Sequence, residues 1–183
     1  AQRSTQYESD LAFRSHVAIP EKRRIAAAAA RLVDDGAVVI LDDSTTALEI
    51  IPHLEAVAPL TAITNFLPAV QRITAIPSIS LIGLGGDWMP RHQSFGGVVC
   101  VRILADLHAD IAFVSLSAMN GTEVYHQEQG IVDTKLAMIR AADTRVLLMD
   151  HTKVGQSALY LVCSTSDFTH VIVDADVDEH TRQ

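Results

Sequence analysis

Four short polar stretches, each placed directly after an apolar run, carry the residue types that recognition of an anion requires. The first is Asp42-Asp43-Ser44-Thr45-Thr46, after which an apolar pattern restarts at helical spacing. Hydroxyls donate hydrogen bonds without bulk. The free backbone N–H groups of a first helical turn add a dipole worth roughly half a positive charge, enough to cradle an anion. Ordinary helix capping needs only one such hydroxyl or carboxylate and explains the stretch equally well, and its two acids count against an anion. Thr64-Asn65 is the second stretch, and again a cap suffices to explain it. Third comes Gly83-Leu84-Gly85-Gly86, where glycines permit close backbone approach to a ligand or simply a turn. Its spacing is that of neither a dinucleotide fingerprint nor a Walker loop. The fourth, Met149-Asp150-His151-Thr152-Lys153, offers a lysine as a mobile point charge for a phosphate, with a solvated lysine as the plainer alternative. Only three of the 14 basic residues are lysines, namely Lys22, Lys135 and Lys153, so each invites a question.

Other reactive types are present in less telling patterns. Among the eight histidines, His92, His126 and His151 fall in loops, but none has an i, i+4 partner or a cysteine beside it, so no metal is expected. Cys100 and Cys163 sit in apolar segments without a CxxC pair and read as buried thiols. Glu123, Glu128 and Asp133 are the candidate carboxylate bases, each explained as readily by solvation or by a helix start. Trp88 to His92 has the look of a flap whose Arg91 can meet a phosphate or face solvent.

These loops need a scaffold that brings them to one edge. With 183 residues, 49% hydrophobic and 5% aromatic, the chain suits one α/β domain rather than an all-β sandwich. AVVILD (37–42), LTAIT (60–64), SISLIG (78–83), DIAFVSL (110–116), RVLLMD (145–150) and HVIVD (170–174) predict buried strands, while LYLVC (159–163) is undecided. Helical patterns cover about 19–36, 46–56, 66–74, 96–107 and 131–142. Alternation of this kind predicts a mostly parallel sheet with helices on both faces, whose ligand site lies outside the carboxyl ends of the strands. The formal charge of −8 argues against this domain itself gripping a nucleic-acid backbone. No apolar run reaches bilayer length and the polar start cannot form a signal-peptide core, so a cytoplasmic location and no membrane partner are expected.

Taken in order, KRRIAAAAARLVDDG, ILDDSTTALEIIPHL, ITN, LIGLGG, SFGG, DIAFVS, KLAMIRAA, MDHTKVG and HVIVDAD resemble the effector-sensing domain of DeoR-type bacterial transcription regulators. The resemblance covers the chain from about residue 14. It implies a fold like ribose-5-phosphate isomerase and the CoA-transferase relatives, with a phosphorylated sugar or related metabolite at the strand ends. The implied ligand-binding residues are Asp42, Ser44, Thr45, Thr46, Thr64, Asn65, Gly85, Gly86, Lys135 and Lys153, with Asp43 standing where the family usually has glycine. No catalytic residue, metal or cofactor is implied. Residues 1–18 are expected to be a linker remnant and 19–183 the sensor domain, in a regulator whose operator DNA is read by a winged helix-turn-helix absent from this chain. A homo-oligomer is expected, since paired half-sites match two-fold symmetry.

Two other classes of function compete with the sensor. A sugar-phosphate isomerase of the same fold needs a carboxylate base beside the ligand, and SAMNGTEVYHQEQG after the DIAFVSL strand places no acid directly there. An interaction module without a small ligand is the third class.

Overall fold

The structure, a computed structural model, describes residues 10–176. Residues 1–9 of the expected linker and 177–183 of the expected sensor domain lie outside the described residues. The elements in chain order are α1 (Leu11–Arg14), α2 (Ile19–Ala30), β1 (Val38–Leu41), α3 (Thr45–Leu48), α4 (Ile51–Leu54), β2 (Leu60–Thr64), α5 (Leu67–Ile73), β3 (Ile79–Gly83), β4 (Asp87–Met89) and β5 (Ser94–Gly96). They continue with α6 (Gly97–Ala105), β6 (Ala109–Val114), β7 (Ala118–Asn120), β8 (Glu123–His126), α7 (Gln129–Arg140), β9 (Ala142–Met149), a 3-10 turn (His151–Lys153), β10 (Tyr160–Ser164), a second 3-10 turn (Thr165–Asp167) and β11 (His170–Val173).

Six strands form one sheet in the order β11-β9-β6-β1-β2-β3, every pair parallel. Alternate residues feed two cores. Val39, Leu41, Ile111, Phe113, Val146 and Leu148 pack with α2 to α5 on one face. Ile40, Ala112, Val114, Leu147 and Met149 pack with α6 and α7 on the other. Coverage of both faces is why these strands read as unbroken apolar runs. The chain builds outward from β1 through β2 to β3, then crosses to the other side of β1 to add β6, β9 and β11. The switch point therefore lies between β1 and β6, where open α/β sheets hold ligands.

The helix expected over 46–56 is split into α3 and α4. Pro52 has no N–H to give the carbonyl four residues back, and that carbonyl, on Leu48, instead accepts from Arg72 Nη1 at 3.2 Å. The long helix expected to reach Gly36 ends at Ala30, and Gly36 instead makes a left-handed turn (φ 78°) into β1. LYLVC becomes β10, which pairs antiparallel with β8 in a three-stranded sheet with β7. Residues 10–18, expected to be linker, include α1 with Leu11 buried and its N–H bonded to the Arg91 carbonyl.

A cationic cavity at the sheet switch point

Asp42 follows the last residue of β1, and its N–H still donates to the Phe113 carbonyl of β6 at 3.2 Å. Its carboxylate is buried and fully engaged. Oδ1 accepts from Ser44 N at 3.0 Å, while Oδ2 accepts from Ser115 N at 2.8 Å and from Lys135 Nζ at 2.5 Å. The bond to Ser115 ends β6, because that N–H turns to the carboxylate rather than onward along the ladder. Asp43 lies 2.9 Å from the same ammonium through Oδ1, and its Oδ2 accepts from Ser94 Oγ of β5 at 2.9 Å. Burial alone would lower the Lys135 pKa, but the two carboxylates outweigh it and hold the group above the ordinary lysine range. Asp43 thus clamps Lys135 and β5, and its φ is not in the left-handed region.

Ser44 caps α3, its Oγ accepting from Ala47 N at 3.0 Å. Beyond it opens a cavity of about 260 Å³ whose wall includes Ser44, Thr45, Ser115, Ser117, Lys135, Asp150 and Lys153. Lys153 is carried by the 3-10 turn after β9, which Asp150 caps by accepting from Thr152 N at 3.2 Å. Lys153 Nζ donates to Ser115 Oγ at 2.9 Å and lies 3.8 Å from Asp150 Oδ2. Ser117 Oγ is shielded from solvent and meets no hydrogen-bond partner among the described residues, a situation that costs free energy unless an acceptor or donor arrives.

Two further cations line the cavity. Lys22 of α2 is buried, with Nζ donating to the Arg14 carbonyl at 2.6 Å, and Arg14 itself lines the cavity beside Phe13 and Val17. Burial, followed by the charge of Lys153, lowers the Lys22 pKa to about 8, with Arg14 adding to the effect and Asp150 and Glu49 opposing it. Among the described residues, four cationic side chains and two carboxylates, Asp43 and Asp150, face this space in a chain whose formal charge is −8. Lys135 is balanced internally by Asp42 and Asp43. Lys153 is paired with Asp150, and Arg14 and Lys22 add further positive charge to the wall.

Of the residues expected at the site, Ser44, Thr45, Lys135 and Lys153 converge on the cavity, with Asp42 directly behind it. Thr46 is fully buried and does not line it. Thr64 and Asn65 also stand apart: Thr64 Oγ1 accepts from Phe66 N at 3.2 Å, and Asn65 Nδ2 donates to the Phe95 carbonyl at 2.6 Å. Gly85 and Gly86 lie outside the cavity wall as well. Gly86, at φ 145°, packs so tightly on the β5 end that a Cβ would fall 2.2 Å from the Gly96 carbonyl oxygen. Arg14, Lys22, Ser115, His126, Gln127 and Asp150 line the site without having been among the expected ligand-binding residues. The scarcity of lysine pointed toward Lys22, but nothing in an alanine-rich helix signalled which way it faces.

The candidate bases do not reach this space. Glu123 and Asp133 are exposed, and Glu128 holds His92 Nε2 at 3.1 Å and Arg91 at 3.6 Å. Arg91, expected to meet a phosphate or solvent, is exposed and pairs with Glu128 outside the cavity wall. His151, Asp174 and Asp176 form the one group of metal-ligand composition among the described residues. Asp174 already accepts from the backbone N–H groups of His151 and Asp176 at 2.7 and 2.9 Å, bonds that outweigh burial and hold its carboxyl below the usual range. Arg24 pairs with Asp176 at 3.0 Å.

A parallel sheet wrapped by helices, with a cationic, hydroxyl-lined cavity at its switch point, defines the class of open α/β domains. Within that class the chain belongs to the DeoR C terminal sensor domain family, whose model matches residues 17–175. It is 32% identical over 181 residues to the uncharacterized HTH-type transcriptional regulator YulB of Bacillus subtilis strain 168, covering 94% of this chain and 68% of that protein. It is 30% identical to the uncharacterized HTH-type regulator YgbI of Escherichia coli strain K12 (74% and 53% covered), and 32% identical to the HTH-type transcriptional repressor GlcR of Bacillus subtilis (72% and 50%). The chain spans about half the length of YgbI and GlcR. Ribose 5-phosphate isomerase A of Methanocaldococcus jannaschii superposes with a TM-score of 0.51 at 21% identity, covering 73% of this chain and 53% of the isomerase. The delta subunit of eIF2B from Chaetomium thermophilum gives 0.55 at 13%, covering 86% and 56%. These two likenesses are of fold alone. The family and these sequence relatives stand on the sensor side of the enzyme or sensor question. Among the described residues no helix is long and apolar enough to cross a membrane.

Proposed function

We propose that the cavity binds a phosphorylated sugar or a related anionic metabolite, and that its occupancy modulates operator binding by the regulator to which this sensor domain belongs. The observation that carries the reading is the convergence of Arg14, Lys22 and Lys153, from three separate segments, on one hydroxyl-lined cavity in an acidic protein. Lys153 Nζ and the Ser115, Ser117 and Thr45 hydroxyls supply donors to phosphate oxygens, and Lys22 and Arg14 add positive charge to the wall. The size of the cavity, about 260 Å³, suits a small metabolite rather than a polymer. DNA contact is assigned to a winged helix-turn-helix outside this chain, in keeping with the acidic charge of the domain. The domain is also proposed to act as a homo-oligomer in the cytoplasm.

A thermal-shift panel of sugar phosphates, each beside its unphosphorylated sugar, tests the binding. At a hundredfold excess over Kd, a ligand stabilises by about 2.7 kcal/mol, which for a domain of this size raises Tm by about 5–10 °C. Lys153→Ala should weaken the best ligand at least about tenfold, the loss expected of a charge-assisted hydrogen bond. Arg140→Ala, on the outer face of α7, should leave it unchanged. Equal shifts from the sugar and its phosphate would overturn the anion reading.

A further inference from the structure

We propose that Leu11–Val17 is a strap fastened by the anion in the cavity, so that occupancy is registered in the segment of chain that enters the domain. The inference rests on the anion reading above and assigns its output. The family match begins at residue 17, so most of this strap lies ahead of the shared sensor pattern.

The strap forms part of the cavity wall through Phe13, Arg14 and Val17. It is held mainly by polar contacts. The Arg14 carbonyl accepts from Lys22 Nζ at 2.6 Å and from Thr45 Oγ1 at 3.5 Å, Leu11 N donates to the Arg91 carbonyl at 3.2 Å, and Arg14 Nη2 lies 3.2 Å from His92 Nδ1. Leu11 is its one buried apolar side chain, while Phe13 is 62% exposed. A segment with so little apolar burial belongs to the low-stability end of local opening.

Two features weigh against closure without an anion. Arg14 on the strap, Lys22 on α2 and Lys153 on the turn after β9 are like charges around one cavity, partly offset by Asp43 and Asp150 in the same wall; burial and Lys153, with Arg14, lower the Lys22 pKa against the opposing pull of Asp150 and Glu49. The joint between strap and α2 is Ala18, held at φ 52°, ψ 40°. A residue with a Cβ is strained in that left-handed region and stays there only when contacts on both sides hold it. An anion among the three cations turns their repulsion into a shared attraction. Arg14 is the strap's own contribution to that set, so the ligand ties the strap to α2 and to the turn after β9.

Hydrogen exchange of the 183-residue chain, read by mass spectrometry, tests the strap with ribose 5-phosphate and inorganic phosphate as probes and ribose as the control. Arg14, Ser15 and His16 donate their amides to the carbonyls of Asp10, Leu11 and Phe13. A probe that raises Tm should slow exchange across these amides by about tenfold or more, the signature of a suppressed local opening. In Arg14→Ala the probe should still raise Tm through Lys22 and Lys153 while leaving strap exchange unchanged, and Arg14→Lys should restore the slowing. A rise in Tm with unaltered strap exchange in the wild type, or slowing that survives in Arg14→Ala, overturns the strap and spares the anion reading. No rise in Tm with either phosphate probe overturns both.

Discussion

Lys135 and Lys22 face one cavity in opposite electrostatic settings, and each setting makes a separate prediction. Lys135 is enclosed by Asp42 and Asp43, so Lys135→Met leaves two buried carboxylates without their cation. Breaking a buried pair from one side costs about 3–5 kcal/mol, and urea denaturation should show a loss of that size at neutral pH. A loss below about 1 kcal/mol would mean that the pair is solvated like a surface bridge. Lys22, by contrast, titrates at about 8 in the free domain, where burial and Lys153 are the chief causes, Arg14 adds to them, and Asp150 and Glu49 oppose. A bound phosphate favours the charged ammonium, so binding above pH 8 takes up a proton. The sign follows: affinity for a sugar phosphate should fall as pH rises through 8, approaching about tenfold per unit for one linked proton. Calorimetric titrations between pH 7 and 9.5 measure that slope. Lys22→Met should lower affinity and flatten the profile, and an unchanged slope in the variant would assign the proton to another group.

At the scale of elements, the strands were legible because burial on both faces makes each a compact apolar run, and LTAIT begins and ends as β2 does. Boundaries moved where a side chain from elsewhere in the sequence intervened. Asp42 captures Ser115 N and ends β6, and Arg72 takes the Leu48 carbonyl beside Pro52 and fixes the break between α3 and α4. The site was legible where its residues follow a strand directly, as Ser44, Thr45 and Lys153 do. It was hidden where the cavity wall comes from a helix face or from the strap, as with Lys22 and Arg14. The hairpin of β4 and β5 was hidden because three-residue strands carry no period, yet its packing decides what the glycine pair does. Gly86→Ala would force a Cβ to within 2.2 Å of a backbone oxygen at a φ that L residues rarely adopt. It should destabilise by about 2–4 kcal/mol, as overpacking and a strained φ together imply. Gly85→Ala meets nothing within 4 Å and should stay within about 0.5 kcal/mol of wild type. Comparable losses from both would show that the pair acts together, as a ligand-contacting turn would require.

Across the whole molecule, two kinds of surface stand out against an acidic background, one cationic and concave, the other apolar and convex. The cavity gathers positive charge within a chain of net charge −8, so an anion is repelled at long range and attracted once inside; added salt screens both effects. The apolar surface lies on the far layer, where α6 and its neighbouring strands expose Ile82, Trp88, Val98, Val99 and Ile103. Val98 and Val99 are 65% and 56% exposed, and β3, which carries Ile82, is an edge strand of the six-stranded sheet. Exposed apolar side chains on α6 and on an open sheet edge mark a surface that gains by association. A two-fold pair of sensor domains is the partner that regulators reading paired half-sites require, and it would bury this patch against itself. Sedimentation of the chain at micromolar concentration should therefore show a dimer or larger assembly. The double variant Val98→Lys, Val99→Lys places four like charges across a two-fold contact and should yield a monomer whose anion-induced rise in Tm persists, because the cavity lies at the strand ends rather than on α6. An assembly that survives the double variant would move the contact to another face, and a wild-type chain that stays monomeric at high concentration would remove the oligomer from the mechanism.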